Sequence, residues 1–246
     1  LFYRISTNGT CWSITAEQFI ERPTLRWLAG AMPAWVLPDM LTATGFGGMV
    51  ITAAGYGLAS RNPAMLWLAS AGLLVSWFGD SLDGTVARVR GIERPRYGFF
   101  IDNATDVLEY TIFAVGMGLS GYLRWELALA GLAAFYLVML IELIKVRVTD
   151  VLQIAIAGVG LTEIRAVFIL LNAVMFFVPP TPFSIAGVTT TYPNVISAFW
   201  TTLQVATYLV IMITTLRALA ATEPPRRAPT KSSLDRPTSL GVGDRL

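Results

Sequence analysis

Residues 166–216 carry no charged side chain, and neither do residues 40–59. A helix rises 1.5 Å per residue, so about 20 apolar residues cross the hydrocarbon core of a bilayer. Three more segments approach that length: 64–79, which runs into DSLDG; 99–123, apolar apart from three acids near its start; and 125–144. The 166–216 stretch is too long for one span and is broken by VPPTP at 178–182 and by Tyr192 and Pro193, so it reads as two helices joined by a short outer loop. The expectation is an all-α, polytopic membrane protein with six spans. Only 14% of the 246 residues are charged, against about 25% in a soluble domain.

Lys and Arg in short loops mark the cytoplasmic side. Arg4, Arg22 and Arg26 precede the first span, Arg88, Arg90, Arg94 and Arg96 follow the second, and Lys145 and Arg147 follow the fourth. Six more basic residues lie in the tail, while the opposite side carries only Arg61 and Arg124. Both termini are therefore expected in the cytoplasm. Leu25, Leu28, Met32, Trp35 and Val36 recur at roughly helical spacing, which suggests a juxtamembrane helix in the cytoplasmic interface that Pro33 kinks or ends. From Thr222 onward the chain is polar, Pro-rich and aperiodic, as a disordered tail would be. The expected organisation is a cytoplasmic segment 1–36, a transmembrane catalytic unit 37–219 and a tail 220–246. The first residue is Leu, as expected of a fragment, and no cleavable leader is expected before the first span.

Composition narrows the chemistry. A net charge of +2 gives no broad basic field for nucleic acid. The absence of histidine excludes imidazole bases, His-ligated zinc and Ser/His/Asp triads. The one cysteine, Cys11, excludes an internal disulfide and a cysteine-cluster metal site.

Acidic residues stand where apolar ones are expected: Asp80, Asp83, Asp102, Asp106, Glu109, Glu142 and Glu163 lie within or at the ends of apolar spans. An Asp at the centre of a spanning helix costs about 2.5 to 3.5 kcal/mol, so each such position needs a compensating role. The structural reading is pairing with nearby arginines or a wet interface, and it stays open for Glu109 and Glu142, and for Glu163 with Arg165 as a helix-end pair. Asp83, Gly84, Ala87 and Arg88 follow Asp80 at +3, +4, +7 and +8, one helical face. Asp102 and Asp106 follow Gly98 at +4 and +8, again one face. If the two helices meet along these faces, four carboxylates converge, and small residues leave room beside them. With oxygen ligands only, the matching cations are hard, Mg²⁺ or Mn²⁺. Two such ions would neutralise four carboxylates and suit phosphoryl transfer.

The segment DSLDGTVARVRGIERPRYGFFIDNATD resembles the signature DxxDGxxAR, a short gap, then GxxxDxxxD, of the CDP-alcohol phosphotransferase family. All eight defining positions are filled: Asp80, Asp83, Gly84, Ala87, Arg88, Gly98, Asp102 and Asp106. The gap from Arg88 to Gly98 is nine residues, one more than the usual spacing. Pro38, Asp39 and Thr42 resemble the family's PDxxT or PNxxT element, which in relatives touches the cytidine nucleotide, and GLTEIR at 160–165 resembles its GxxExR-type segment, where Arg165 would hold a phosphate.

The resemblance implies a membrane transferase of phospholipid biosynthesis that cleaves a CDP-linked alcohol, passes the substituted phosphate to an acceptor hydroxyl and releases CMP. Asp80, Asp83, Asp102 and Asp106 would hold the metals, and Asp106 would double as general base. Arg88 would contact phosphate, while Gly84, Ala87 and Gly98 would give the nucleotide room. CDP-diacylglycerol is the favoured donor, with a small polar alcohol as acceptor, because PDxxT resembles the inositol-phosphate branch. The alternative is CDP-choline or CDP-ethanolamine with diacylglycerol as acceptor; Pro95 and Asn103 stand where some branches have Ser/Thr and His. A homodimer and a bacterial-type cytoplasmic membrane, with the site facing the cytoplasm, complete the expectation. The main rival is an ion-coupled transporter, whose acids should spread through the depth of the bilayer rather than cluster at one end of two spans. A UbiA-like prenyltransferase lacks the DGxxAR element.

Overall fold

In the computed structural model, the described residues are 4–6, 9–11, 16–149, 161–185 and 187–222. Their dominant elements are α1 (Ala16–Ala31), α2 (Pro38–Ala59), α3 (Met65–Arg90), α4 (Pro95–Leu119), α5 (Trp125–Thr149), α6 (Leu161–Phe177) and α7 (Tyr192–Thr222). Two short antiparallel hairpins accompany them, β1 (Arg4–Ser6) with β2 (Gly9–Cys11), and β3 (Phe183–Ile185) with β4 (Val188–Thr190).

The six apolar segments correspond to α2 through α7. By length and composition α3, α5 and α7 qualify as membrane spans. The other three fall short for visible reasons: α4 carries Asp102, Asp106 and Glu109, α6 is 17 residues long, and glycine and threonine dilute α2. The apolar residues are distributed inside out. Large side chains such as Leu74, Leu108, Leu140, Leu170 and Phe199 face outward, whereas Thr52, Ser70, Ser76, Glu109 and Asn172 are buried. A chain that displays leucine and hides hydroxyls and amides is built for lipid rather than water.

The tightest seam joins α2 to α3. Gly48 approaches the backbone of Gly72, Val75 and Ser76, Gly79 approaches Leu41 and Gly45, and Gly55 approaches Ala69, so residues early in α2 meet residues late in α3 and the helices run antiparallel. No Cβ fits at these glycines, and small residues are what let spanning helices touch backbone to backbone. Helix α4 packs on the same α2, with Gly116 against Ala53. α6 packs on α3 through a buried network in which Tyr56 donates to Asn172 at 2.9 Å and Asn172 donates to Ser70 at 3.0 Å. α5 lies between α4 and α7, and Asn194 accepts the Arg124 amide at 2.9 Å.

Three expectations change. The helix near the N-terminus starts earlier than the apolar pattern implied and stops before Pro33; Leu25 and Ala29 pack with Val36, Leu41, Leu82 and Val86, while Trp27 and Trp35 are exposed. The loop before α7 carries the β3–β4 hairpin, turned at Gly187 with φ of 82°. The helix bearing the first two acids runs unbroken to Arg90, because Gly91, at φ 63° and donating to the Ala87 and Arg88 carbonyls, ends it. The tail from 223 on lies outside the described residues.

Candidate active site

Pro95 fits the first turn of α4, where a missing N–H costs nothing, so only four residues separate α3 from α4. The signature acids then fall at matched depths. Asp83 lies seven residues before the end of α3 and Asp102 seven after the start of α4, about 10 Å along each axis. Asp80 and Asp106 lie about a turn deeper. Every pair among these four carboxylates is close enough for mutual electrostatic repulsion.

The way they are held corrects the expectation that the two acidic helices meet directly. Among the described residues α3 and α4 share no seam comparable to those each makes with α2. Two negative faces repel, and a glycine-rich third helix anchors both while leaving a gap between them.

That gap is a cleft of about 80 Å³ lined by Asp39, Thr42, Asp83, Gly84, Ala87, Gly98 and Asp102, together with Arg94, Tyr97 and three apolar residues. Residues of PDxxT on α2 and of both halves of the signature thus share one wall. Thr42 donates its hydroxyl to Asp83 Oδ2 at 2.7 Å, and the Gly84 amide lies 2.5 Å from Oδ1. Asp39 at the mouth accepts from Arg94 at 2.5 Å, and the guanidinium lies 4.0 Å over the Tyr97 ring. Arg88 is not in the cleft: it turns back along α3 to Thr85, at 3.2 Å.

Arg165 reaches the site from α6. It is 8% exposed, donates to Asp80 Oδ2 and lies 3.9 Å from Glu109 Oε2. It also lines a second, mostly apolar cavity of about 220 Å³ between α4, α5, α6 and α7. Glu109, 2% exposed, accepts from Ser76 at 3.4 Å. At +7 from Asp102 and +3 from Asp106, Glu109 lies on the same helical face, so periodicity alone could have added it to the set. Glu142 pairs with Lys145 at 3.4 Å, in keeping with its structural reading.

Two further residues shape the site without a sequence signal. Gly45 leaves room for Asp80, since a Cβ there would run into its carboxylate. Arg90 donates to the Met32, Pro33 and Val36 carbonyls at 3.0, 2.9 and 2.5 Å, tying the end of α3 to the chain just before α2 and so fixing where Asp39 emerges.

Donor chemistry fits a hard divalent ion: oxygen ligands of one sign, in mutual repulsion, at the polar end of an apolar bundle. Among the described residues, however, no three His, Cys, Asp or Glu side chains converge closely enough to hold one. The Arg165 guanidinium is the cation seated on Asp80, and Thr42 engages Asp83.

Apolar helices that turn leucine outward, with carboxylates near the ends of two of them and a cleft between, define a helical membrane protein with a polar site at one end of its bundle. The sequence model of the CDP-alcohol phosphatidyltransferase family matches residues 35–203, and the chain belongs to that family. Divalent-metal dependence is general in it. Over 103 residues the chain is 32% identical to an archaetidylinositol phosphate synthase of Pyrococcus horikoshii; the match covers 42% of this chain and 52% of that protein, so the chain spans about half the length of the curated relative it matches.

Proposed function

We propose that the chain is an integral-membrane phosphotransferase that moves a phosphatidyl-type group from a CDP-alcohol to an acceptor alcohol and releases CMP. The observation that carries this reading is the cleft in which Asp39 and Thr42 of α2 face Asp83, Gly84, Ala87, Gly98 and Asp102 of α3 and α4. Family membership supports the reaction class. Likeness to an archaetidylinositol phosphate synthase favours a CDP-linked lipid as donor and an inositol phosphate as acceptor.

Asp80, Asp83, Asp102 and Asp106 would hold divalent metal, Mg²⁺ or Mn²⁺, and two such ions would balance their four charges. Bound metal would neutralise the charge gathering on the pyrophosphate. Gly84, Ala87 and Gly98 leave the nucleotide side of the cleft free of bulk. Asp106 accepts the proton of the acceptor hydroxyl as its oxygen bonds to the β-phosphorus; the bond from that phosphorus to the bridging oxygen breaks and CMP leaves. Arg88, by rotating away from Thr85, and Arg165, once bound substrate draws it off its carboxylate partners, bring guanidinium forks to phosphate oxygens.

The same reading places six spans, α2 through α7, with both termini and the cleft on the cytoplasmic side and α1 in the interface. It keeps a catalytic unit at 37–219 between an N-terminal segment 1–36 and a tail 220–246. The arginines of the α3–α4 connection support the orientation, and the outward leucines of the six helices support the spans. A homodimer in a bacterial-type cytoplasmic membrane rests on the resemblance alone.

The test is incubation of the purified protein in lipid with labelled CDP-diacylglycerol and a panel of polar alcohols. CMP release that depends on one alcohol, stops on chelation and returns with Mg²⁺ or Mn²⁺ is expected. Metal-independent transfer, or release of pyrophosphate in place of CMP, would contradict the proposal.

A further inference from the structure

Glu109 lies outside the signature, and its surroundings give it a task. It stands about one turn deeper on α4 than Asp106, level with Ser76 on α3. A carboxylate 2% exposed in an apolar bundle needs strong partners. In this arrangement both of its polar contacts are long: the Ser76 hydroxyl at 3.4 Å and Arg165 Nη2 at 3.9 Å. That same Nη2 is engaged by Asp80. One buried cation thus has two carboxylate seats, one occupied and one adjoining.

We propose that Glu109 is a positioning residue that receives the Arg165 guanidinium when Asp80 turns to divalent metal. While Arg165 sits on Asp80, that carboxylate is paired with a cation and is not free to take a metal. Withdrawal of a guanidinium into an apolar bundle with no receiving anion would leave it uncompensated, and unpaired buried charge is strongly disfavoured. Glu109 supplies the receiving anion one turn deeper, and Ser76 steadies it. Arg165 lines the apolar cavity where it now sits, so its exchange between carboxylates alters one wall of that cavity. This inference rests on the metal role given to Asp80 under the proposed function.

The test is a double-mutant cycle on Mn²⁺ binding, read by electron paramagnetic resonance on the full chain in lipid nanodiscs without substrate. Glu109→Gln should weaken Mn²⁺ binding by roughly 10- to 100-fold, the range for residues that orient a metal ligand. Arg165→Gln should tighten it, and in that background Glu109→Gln should change affinity by less than about 2-fold. Glu109→Asp, which keeps the charge, should restore most of the wild-type affinity and serves as the measurement if the amide variant does not fold. An equal effect of Glu109→Gln with and without Arg165 would overturn the inference, since a bare loss of nearby charge acts in both backgrounds, as would failure of the Asp variant to bind better than Gln. A wild type that binds no Mn²⁺ would overturn the metal role of Asp80 and this inference with it, whereas a wild type that binds normally with an uncoupled cycle removes the inference alone.

Discussion

Where α2 meets α3 the backbones touch, and where α4, α5, α6 and α7 surround one another they stand far enough apart to enclose about 220 Å³. The first region is a seam of glycine, alanine, serine and threonine; the second is lined by Phe113, Phe135, Phe168, Leu132 and Leu171. The difference shows how the molecule divides its tasks. Charged groups must be held to a fraction of an ångström to act together, and the seam does this by leaving no side chain between the helices that carry Thr42, Asp80 and Asp83. The opposite half fills space with large, adaptable side chains and carries few polar groups. Arg165 lines the cavity and pairs with Asp80 of α3 as well.

The largest expected effect tests whether the chemistry belongs to the acid-bearing half. Asp106→Asn should cut CMP release by roughly 10²- to 10⁴-fold, the usual contribution of a general base, while the extracted protein melts at its normal temperature. Near-normal turnover would remove Asp106 as the base. A smaller effect separates the two regions by packing. Gly48→Ala should destabilise the protein by about 1 to 3 kcal/mol, because the added methyl meets the backbone of Gly72 and Ser76. Gly131→Ala, whose nearest neighbour is the Thr201 hydroxyl at 3.5 Å in the looser half, should stay within about 0.5 kcal/mol. Thermal unfolding of both variants in one detergent makes the comparison, and equal losses would erase it. The smallest effect concerns the mouth of the cleft. Asp39 and Arg94 are each about half exposed, so Asp39→Asn should cost less than about 1 kcal/mol of stability. Any larger change in that variant should appear as weaker binding of the CDP-alcohol.

Much of this was legible in the chain itself. Absence of charge marked α2 and α7, proline marked the break between α6 and α7, and the spacing of aspartates and glycines put Asp80 with Asp83 on one face and Asp102 with Asp106 on another. Periodicity speaks about one helix at a time, which is why it could not say that α3 and α4 would each seat on α2 rather than on one another. The pairing of Arg165 with Asp80, 85 residues apart, and the clamp of Arg90 on the carbonyls before α2 are choices of partner between distant elements, with no local signature. Gly45 looked like one glycine among many in α2, and only the approach of α3 shows that it makes room for Asp80. The β3–β4 hairpin was hidden by its brevity, three residues a side.

The central claim is that acids on two helices, held apart on a third, gather divalent ions between them. Anomalous diffraction from crystals grown with Mn²⁺ and CDP-diacylglycerol tests it most directly. Manganese peaks are expected between α3 and α4, on carboxylate oxygens of Asp80, Asp83, Asp102 and Asp106, with the Arg165 guanidinium displaced from Asp80. Peaks elsewhere, or an empty gap with Arg165 still on Asp80 at saturating Mn²⁺, would contradict the account.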